Sequence, residues 1–80
     1  MSTSPPTLFN LGCGSTIAKG WRNFDINPIN KEVEYWHANN PVPATDCYVD
    51  VIYNSHMLEH LNPSSAKKFL KDCHRVLKKN

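Results

Sequence analysis

Short apolar runs separated by turn-forming residues dominate the N-terminal part of the chain. Residues 7–11 form one such run, which stops at a pair of glycines, and residues 48–53 form another that is rich in Val and Ile. Residues 21–26 alternate between the two sides of an extended chain, and residues 33–36 are β-prone. Runs of this length bounded by Gly, Pro, Asn and Asp are typical of strands. The pattern predicts three to four short strands, with a proline-containing loop at 39–46.

The C-terminal segment has the spacing of an amphipathic helix. Asn62 is a suitable N-cap, and Pro63 occupies the favoured first helical position. Leu61 and Ala66 are spaced for a hydrophobic staple across this start. The apolar positions that follow recur at helical spacing: Ala66, Phe69, Leu70, Cys73, Val76 and Leu77. We expect the lysines at 78–79 to close the helix favourably against its dipole.

The order of these elements predicts an α/β fold. Parallel strands need crossovers, usually of a dozen or more residues. Residues 12–20 leave little room for one, so any helix there is limited to a short turn around 16–19. We expect three to four mainly parallel strands and one long C-terminal helix. They form a single domain over residues 7–80, preceded by a flexible tail at residues 1–6.

Composition and charge restrict the class of protein. The chain has 80 residues, of which 40% are apolar and 20% charged, with a formal net charge of +2. The lysines at 67, 68, 71, 78 and 79 form a local basic patch, which we interpret as the solvated face of a helix. No arginine-rich arm or stacking-aromatic pattern accompanies it, so a nucleic-acid partner is not expected.

Cysteine usage and the N-terminus indicate the compartment. The cysteine count is 3, an odd number without a CxxC pair, which does not resemble a disulfide framework and fits a reducing environment. Residues 1–6 lack the apolar core of a signal peptide, and no stretch approaches the roughly 20 apolar residues that cross a bilayer. We therefore expect a cytoplasmic protein without a membrane segment.

A glycine turn and an acidic strand end carry the candidate chemistry. Gly12-Cys13-Gly14 follows the first predicted strand, where glycines permit a tight turn and the close approach of a ligand, and where exposed amides could meet a carboxylate. Asp25 ends the second predicted strand, where acidic residues of Rossmann-like sites accept hydrogen bonds from ribose hydroxyls. The alternatives are an ordinary turn at the glycines and a turn-forming role for Asp25.

The motifs taken together resemble a known family. The segments LFNLGCG, GWRNFDINP, VDVIYNSHMLEHL and AKKFLKDCHRVLKK are similar to those of the class I S-adenosylmethionine-dependent methyltransferases, in particular the methyltransferase-type-11-like group. The resemblance covers about Leu8 to Lys79. It implies a partial Rossmann-like sheet, S-adenosylmethionine as cofactor and methyl transfer to an acceptor that the motifs do not identify. It also implies that the chain corresponds to the N-terminal half of the family's domain.

The resemblance assigns roles by position. Gly12, Cys13 and Gly14 match the turn that contacts the methionine part of the cofactor, and Asp25 matches the residue that binds the ribose. Asn54, Ser55 and His56 match the end of the fourth strand, where the cofactor faces the substrate. Of these, His56 is the candidate catalytic base. Asn39 stands in the neighbourhood where the family usually has an Asp near the adenine, and its amide can still form a hydrogen bond.

A rival motif overlaps the fourth of these segments. His56, Glu59 and His60 form H-x-x-E-H, the signature of inverted zinc peptidases. A catalytic zinc needs three protein ligands and an open position, and the sequence offers only Asp72 and His74 downstream. We therefore expect no bound metal.

A second hypothesis belongs to a different functional class. The chain could be a non-catalytic, truncated remnant that binds the cofactor or acts only as a self-associating interaction module. Missing strands would leave a sheet edge and an apolar face uncovered, and such edges attract partners. A homo-oligomer is the expected remedy.

Overall fold

A parallel sheet and one long helix make up the fold. The computed structural model describes residues 5–54 and 57–79 of the chain. The strands are β1 (Leu8–Leu11), β2 (Arg22–Asp25), β3 (Val33–Tyr35) and β4 (Val51–Asn54), followed by a 3₁₀ helix at Leu58–His60 and the α-helix α1 (Pro63–Val76). All pairs are parallel, in the order β3-β2-β1-β4. This confirms the partial Rossmann-like α/β architecture.

The connection between β1 and β2 contains no helix. Residues 12–21 form turns and irregular backbone, so the short helical turn predicted around 16–19 does not occur. Buried asparagine side chains of the two strands hold this segment instead. Asn10 Nδ2 donates to the Thr16 carbonyl at 3.0 Å, and Asn23 exchanges hydrogen bonds with the backbone of Ala18 at 2.9 and 3.1 Å. Backbone groups of this segment thus hydrogen-bond to side-chain amides, whereas in a crossover helix they would hydrogen-bond to one another.

The hydrophobic core lies between the sheet and α1. Phe9 pairs with Arg22 and Leu11 with Phe24, so these side chains share one face of the sheet. Phe9, Leu11 and Phe24 are at most 1% exposed, and the rings of Phe9 and Phe24 lie 4.9 Å apart. Helix α1 contributes Phe69, Cys73 and Val76 to this core. Trp36, just beyond β3, packs on Phe69 with a centroid distance of 5.8 Å.

The N-terminal end of α1 has the predicted cap, whereas its C-terminal end differs from the prediction. Asn62 Oδ1 accepts from the Ser65 N–H at 2.8 Å, as an N-cap should. The helix ends at Val76, and Leu70 is 52% exposed rather than part of the apolar stripe. Lys79 donates to carbonyls of the last turn, whereas Lys78 leaves the helix to pair with Asp50 at 3.3 Å.

The strand predicted at 48–53 is shifted in the structure. Val49 is fully buried but lies before β4, in an isolated parallel bridge with Leu77. Its N–H donates to the Val76 carbonyl, and its carbonyl accepts from the Lys78 N–H at 2.9 Å. Within β4 itself, Val51 is 47% and Tyr53 54% exposed. Among the described strands, β4 stands last in the sheet order, so it forms one edge, and that edge carries exposed apolar side chains.

Candidate functional site

The carboxyl ends of the strands bring the predicted residues to one edge of the sheet. Leu11 pairs with Phe24 in β2 and with Asn54 in β4, so the residues after β1 lie next to the ends of both neighbours. Gly12 follows Leu11 directly, and Asp25 follows Phe24. Ligands of open parallel sheets bind in the crevice outside these ends. Gly12 lines two cavities at this edge.

The glycine loop is shaped by backbone hydrogen bonds to β2. Gly12 and Gly14 have positive φ angles of 72° and 56°, which glycine adopts without a steric penalty. The N–H groups of Gly12 and Cys13 donate to the Phe24 carbonyl at 2.8 and 3.0 Å. A Cβ added to Gly12 would lie 2.9 Å from the Met57 sulfur. The N–H groups of Gly12 and Cys13 are therefore already hydrogen-bonded within the protein. What the glycines present to a ligand is chiefly a backbone surface without side chains.

Cys13 fills space within the loop. It is 7% exposed, and its Sγ lies 3.5 Å from the Gly14 carbonyl. Burial raises the pKa of the Cys13 thiol, and the negative charge of Asp25 raises it further. A thiol with a raised pKa is a poor nucleophile at neutral pH. The buried Cys13 side chain therefore chiefly fills space in the loop.

Asp25 links the loop to the end of β2. Its Oδ2 accepts from the Gly14 N–H at 2.8 Å, and its Oδ1 accepts from the Asn27 N–H at 2.9 Å. The second of these bonds makes the turn that the sequence Asp25-Ile26-Asn27-Pro28 suggested. A carboxylate can accept about four hydrogen bonds, so further acceptor positions remain on both oxygens. Asp25 can therefore shape the turn and bind a hydroxyl-bearing ligand at the same time.

The first cavity has a volume of about 350 Å³ and lies between β2, the loop after β3 and the start of α1. Gly12, Asp25 and Asn39 all line it, so three of the residues predicted to bind the cofactor share one space. Ile26 and Met57 give it apolar walls. It is also lined by His60 of the H-x-x-E-H motif and by His37, which the sequence reasoning did not single out. Ligand clefts commonly measure about 300–1,000 Å³ and are mostly apolar with a few polar groups.

The loop that carries Asn39 is anchored at several points. The Asn39 N–H donates to His37 Nδ1 at 3.0 Å, and Trp36 Nε1 donates to the Pro41 carbonyl at 3.0 Å. Further along, the Val42 N–H donates to the Asp72 carboxylate of α1 at 2.5 Å. Arg75 also donates to this carboxylate, and it holds the pKa of Asp72 below its ordinary value. The loop wall of the cavity is thus tied to the helix.

The second cavity, of about 400 Å³, borders the glycine loop. It is lined by Asn10, Gly12, Cys13, Gly14, Ser15, Thr16 and Tyr53. Asn10 was missed by the sequence reasoning. The available signal was a polar residue inside the apolar run Leu8-Phe9-Asn10-Leu11.

The end of β4 is described only as far as Asn54. Its register places Asn54 beside Leu11 at the same edge, but it does not line either of these two cavities. Ser55 and His56 lie outside the described residues. The next described residue is Met57, which leads into the 3₁₀ helix that contains Glu59 and His60.

Among residues 5–54 and 57–79, no group of three or more His, Cys, Asp or Glu side chains is placed to hold a metal ion. His56 of the H-x-x-E-H motif is not within those ranges, so the absence of zinc stays a prediction. In the same part of the chain, no helix is long and apolar enough to cross a membrane.

Comparison with known proteins identifies the family. Residues 10–80 match the methyltransferase domain family, and the chain belongs to it. Members of this family generally bind S-adenosylmethionine. Among curated proteins, the chain is similar to the SCF E3 ubiquitin ligase complex F-box protein pof2 of Schizosaccharomyces pombe (strain 972 / ATCC 24843), with 36% identity over 70 residues. The match covers 84% of this chain and 15% of that protein. No solved structure matches the chain significantly.

Proposed function

We propose that this methyltransferase domain binds S-adenosylmethionine across the two cavities at the carboxyl edge of its sheet and transfers the methyl group to an acceptor still to be identified. The observation that carries the proposal is the direct contact between the glycine loop and the acidic strand end. Gly14 N and Asp25 Oδ2 are 2.8 Å apart, so a ligand lying along the loop meets the carboxylate. Family membership supports the same cofactor.

Each part of the cofactor has candidate partners in this proposal. Asp25 accepts hydrogen bonds from the ribose hydroxyls through its remaining acceptor positions. Asn39, whose side chain has no hydrogen-bond partner among the described residues, binds the adenine edge in the first cavity. The Gly12-Cys13-Gly14 turn borders the methionine part in the second cavity. By the family resemblance, Asn54 and Ser55 are also proposed to bind the cofactor, where it faces the substrate.

When bound, the cofactor supplies an electrophilic methyl group on a sulfonium sulfur. The protein's contribution is chiefly to hold that group in line with the acceptor, because correct positioning alone removes much of the barrier. Where the acceptor must lose a proton, we propose His56 as the general base. The imidazole is suited to this role because its ordinary pKa lies near neutrality.

Isothermal titration with S-adenosylmethionine and S-adenosylhomocysteine tests the cofactor proposal. Asp25→Ala should weaken binding by about 1–3 kcal/mol, the range for losing a hydrogen-bond partner at a partly buried site. Glu32→Ala is a matched control, since Glu32 is an exposed carboxylate outside both cavities. Unchanged affinity in a folded Asp25 variant would refute the ribose assignment.

A turnover assay separates the two functional classes. The domain and its His56→Ala variant would be incubated with labelled S-adenosylmethionine and broad mixtures of small-molecule, peptide and nucleic-acid acceptors. Methyl transfer that falls in the variant supports the enzyme and its proposed base. Tight cofactor binding without transfer to any acceptor class would favour a non-catalytic cofactor-binding module.

A further inference from the structure

Arg75 uses every N–H group of its guanidinium within the protein. Nε donates to Asp72 Oδ1 at 2.6 Å, and Nη2 donates to Asp72 Oδ2 at 3.1 Å and to the Val42 carbonyl at 3.2 Å. Nη1 donates to the Ala44 carbonyl at 3.0 Å and to Asp46 Oδ1 at 2.9 Å. A guanidinium has about five N–H donors in a planar fork, so none remains for a ligand. The side chain therefore joins α1 to the loop after β3.

The ion pair also completes the hydrogen bonds of a buried residue, Val42. Val42 is 2% exposed, and its N–H donates to the Asp72 carboxylate at 2.5 Å. A buried N–H needs a partner inside the protein. Without Arg75, the half-buried Asp72 carboxylate would lose its counter-charge and favour water, which would leave the Val42 N–H unpaired.

The residues just before Val42 border two cavities. Residues 38–41, which we call the partition, line a third cavity of about 550 Å³ between this loop and α1. Ala38 and Asn39 also line the first cavity. Residues 39–41 are exposed, and residues 36–48 form neither helix nor regular strand. Side-chain packing therefore contributes little to the position of the partition.

Polar contacts at the end of the partition determine its position instead. Trp36 Nε1 donates to the Pro41 carbonyl at 3.0 Å, and the next residue, Val42, is held by the ion pair. Asn39 lies only three positions before Val42. Loss of the anchor at Val42 would therefore change where Asn39 stands in the first cavity.

We propose that Arg75 is a positioning residue for the adenosine part of the cofactor, which it affects through Asp72 and the partition without touching the ligand. This rests on the proposed function, in which the adenosine part occupies the first cavity. Affinity falls with the fraction of the protein in the binding-competent conformation, so a displaced partition weakens binding even when every contacting residue is retained. The glycine turn is held separately by the Phe24 carbonyl, so the methionine side should be unaffected.

Titration of Arg75→Met with S-adenosylhomocysteine and 5′-methylthioadenosine tests this inference. Both ligands carry the adenosine part, so both affinities should fall by the same factor, about 5- to 50-fold, if about 2–20% of the protein stays competent. Arg22→Met is the matched control. Arg22 also pairs with a carboxylate, that of Glu34 at 2.8 Å, but lines none of the three cavities, so both affinities should stay within about twofold.

Amide hydrogen exchange provides a measurement that needs no ligand. The Val42 N–H depends on Asp72, so its exchange should be at least about 10-fold faster in Arg75→Met. The Gly12 N–H, which donates to the Phe24 carbonyl at 2.8 Å, should keep its exchange rate and serves as the internal reference. Equal acceleration at both amides would indicate general destabilisation and would contradict a local role for Arg75.

The binding results separate this inference from the function on which it rests. Unchanged affinities in a folded Arg75→Met, or a larger loss for S-adenosylhomocysteine than for 5′-methylthioadenosine, would overturn the inference and leave cofactor binding intact. If the unsubstituted protein binds neither ligand, the proposed function and this inference both fail, even where exchange shows that Arg75 holds the loop. If Arg75→Met does not fold, Arg75→Lys keeps the charge without the planar fork. A loss of about threefold or more in that variant supports the inference, and an unchanged affinity contradicts it.

Discussion

Removing the Asn23 amide should destabilise the protein severely. Asn23 is 3% exposed, and its amide uses both donors and accepts twice, with distances between 2.9 and 3.1 Å. Each bond contributes about 0.5–1.5 kcal/mol net, and an unsatisfied buried partner costs about 1–3 kcal/mol. Because Ala18 and Trp21 are only half-buried, water can hydrogen-bond to their backbone groups in place of Asn23. The buried Asn10 amide, in contrast, would lose the acceptor for one of its hydrogens. We therefore expect Asn23→Ala to lower the free energy of unfolding by about 3 kcal/mol.

This loss is large for so short a chain. A domain of 80 residues has a free energy of unfolding of about 4–12 kcal/mol. Urea unfolding followed by the fluorescence of Trp21 and Trp36 would measure the change, with Asn40→Ala as the exposed control. A decrease below about 1 kcal/mol for Asn23→Ala would refute the reasoning that the amide network replaces a crossover helix.

An isosteric variant adds a pH test of the same network. Asn23→Asp keeps the oxygen that accepts two hydrogen bonds and loses the two N–H donors, so a carboxylate oxygen would face the carbonyls of Ala18 and Trp21. Burial and these carbonyls should raise the pKa of the introduced group above its unfolded value. The variant should therefore be least stable at neutral pH and regain stability as the pH falls through the raised pKa. A variant whose relative stability does not depend on pH would contradict this account.

Three further predictions concern the loop, the helix and the sheet edge. Gly12→Ala should lower the free energy of unfolding by about 1–3 kcal/mol in the same urea assay, since φ is 72° and the new Cβ would lie 2.9 Å from the Met57 sulfur. Arg75 lowers the pKa of Asp72, so the stability that this ion pair contributes should be fully present above pH 3.8, the ordinary pKa of an Asp, and be lost as the pH falls through the lower pKa of the folded state. Asp72→Asn should therefore lose this part of the acid-induced destabilisation, as measured in an acid titration followed by circular dichroism. The protein should self-associate through the β4 edge, where Val51 and Tyr53 are 47% and 54% exposed. Sedimentation at several concentrations tests this, and a protein that stays monomeric at high concentration would contradict it.

Local signals in the sequence predicted much of the architecture. The Asn62 cap and the spacing of Phe69, Cys73 and Val76 predicted α1, because capping and periodicity depend on residues close together in the chain. The strand runs and the glycine turn likewise predicted a parallel sheet with a ligand-binding edge. The family resemblance proposed Gly12, Asp25 and Asn39 as binding residues, and the fold brings them around one cavity.

Tertiary structure alone decided how the polar groups of that edge are used. The first amides of the glycine turn donate to Phe24 rather than facing a ligand, because the parallel register places that carbonyl beside them. The connection from β1 to β2 does without a helix, since Asn10 and Asn23 meet across the strands and satisfy its backbone. Asn10 and Asn23 belong to different strands and become neighbours only when the strands pair. A pattern of residue types predicts elements, but donors and acceptors are matched in three dimensions.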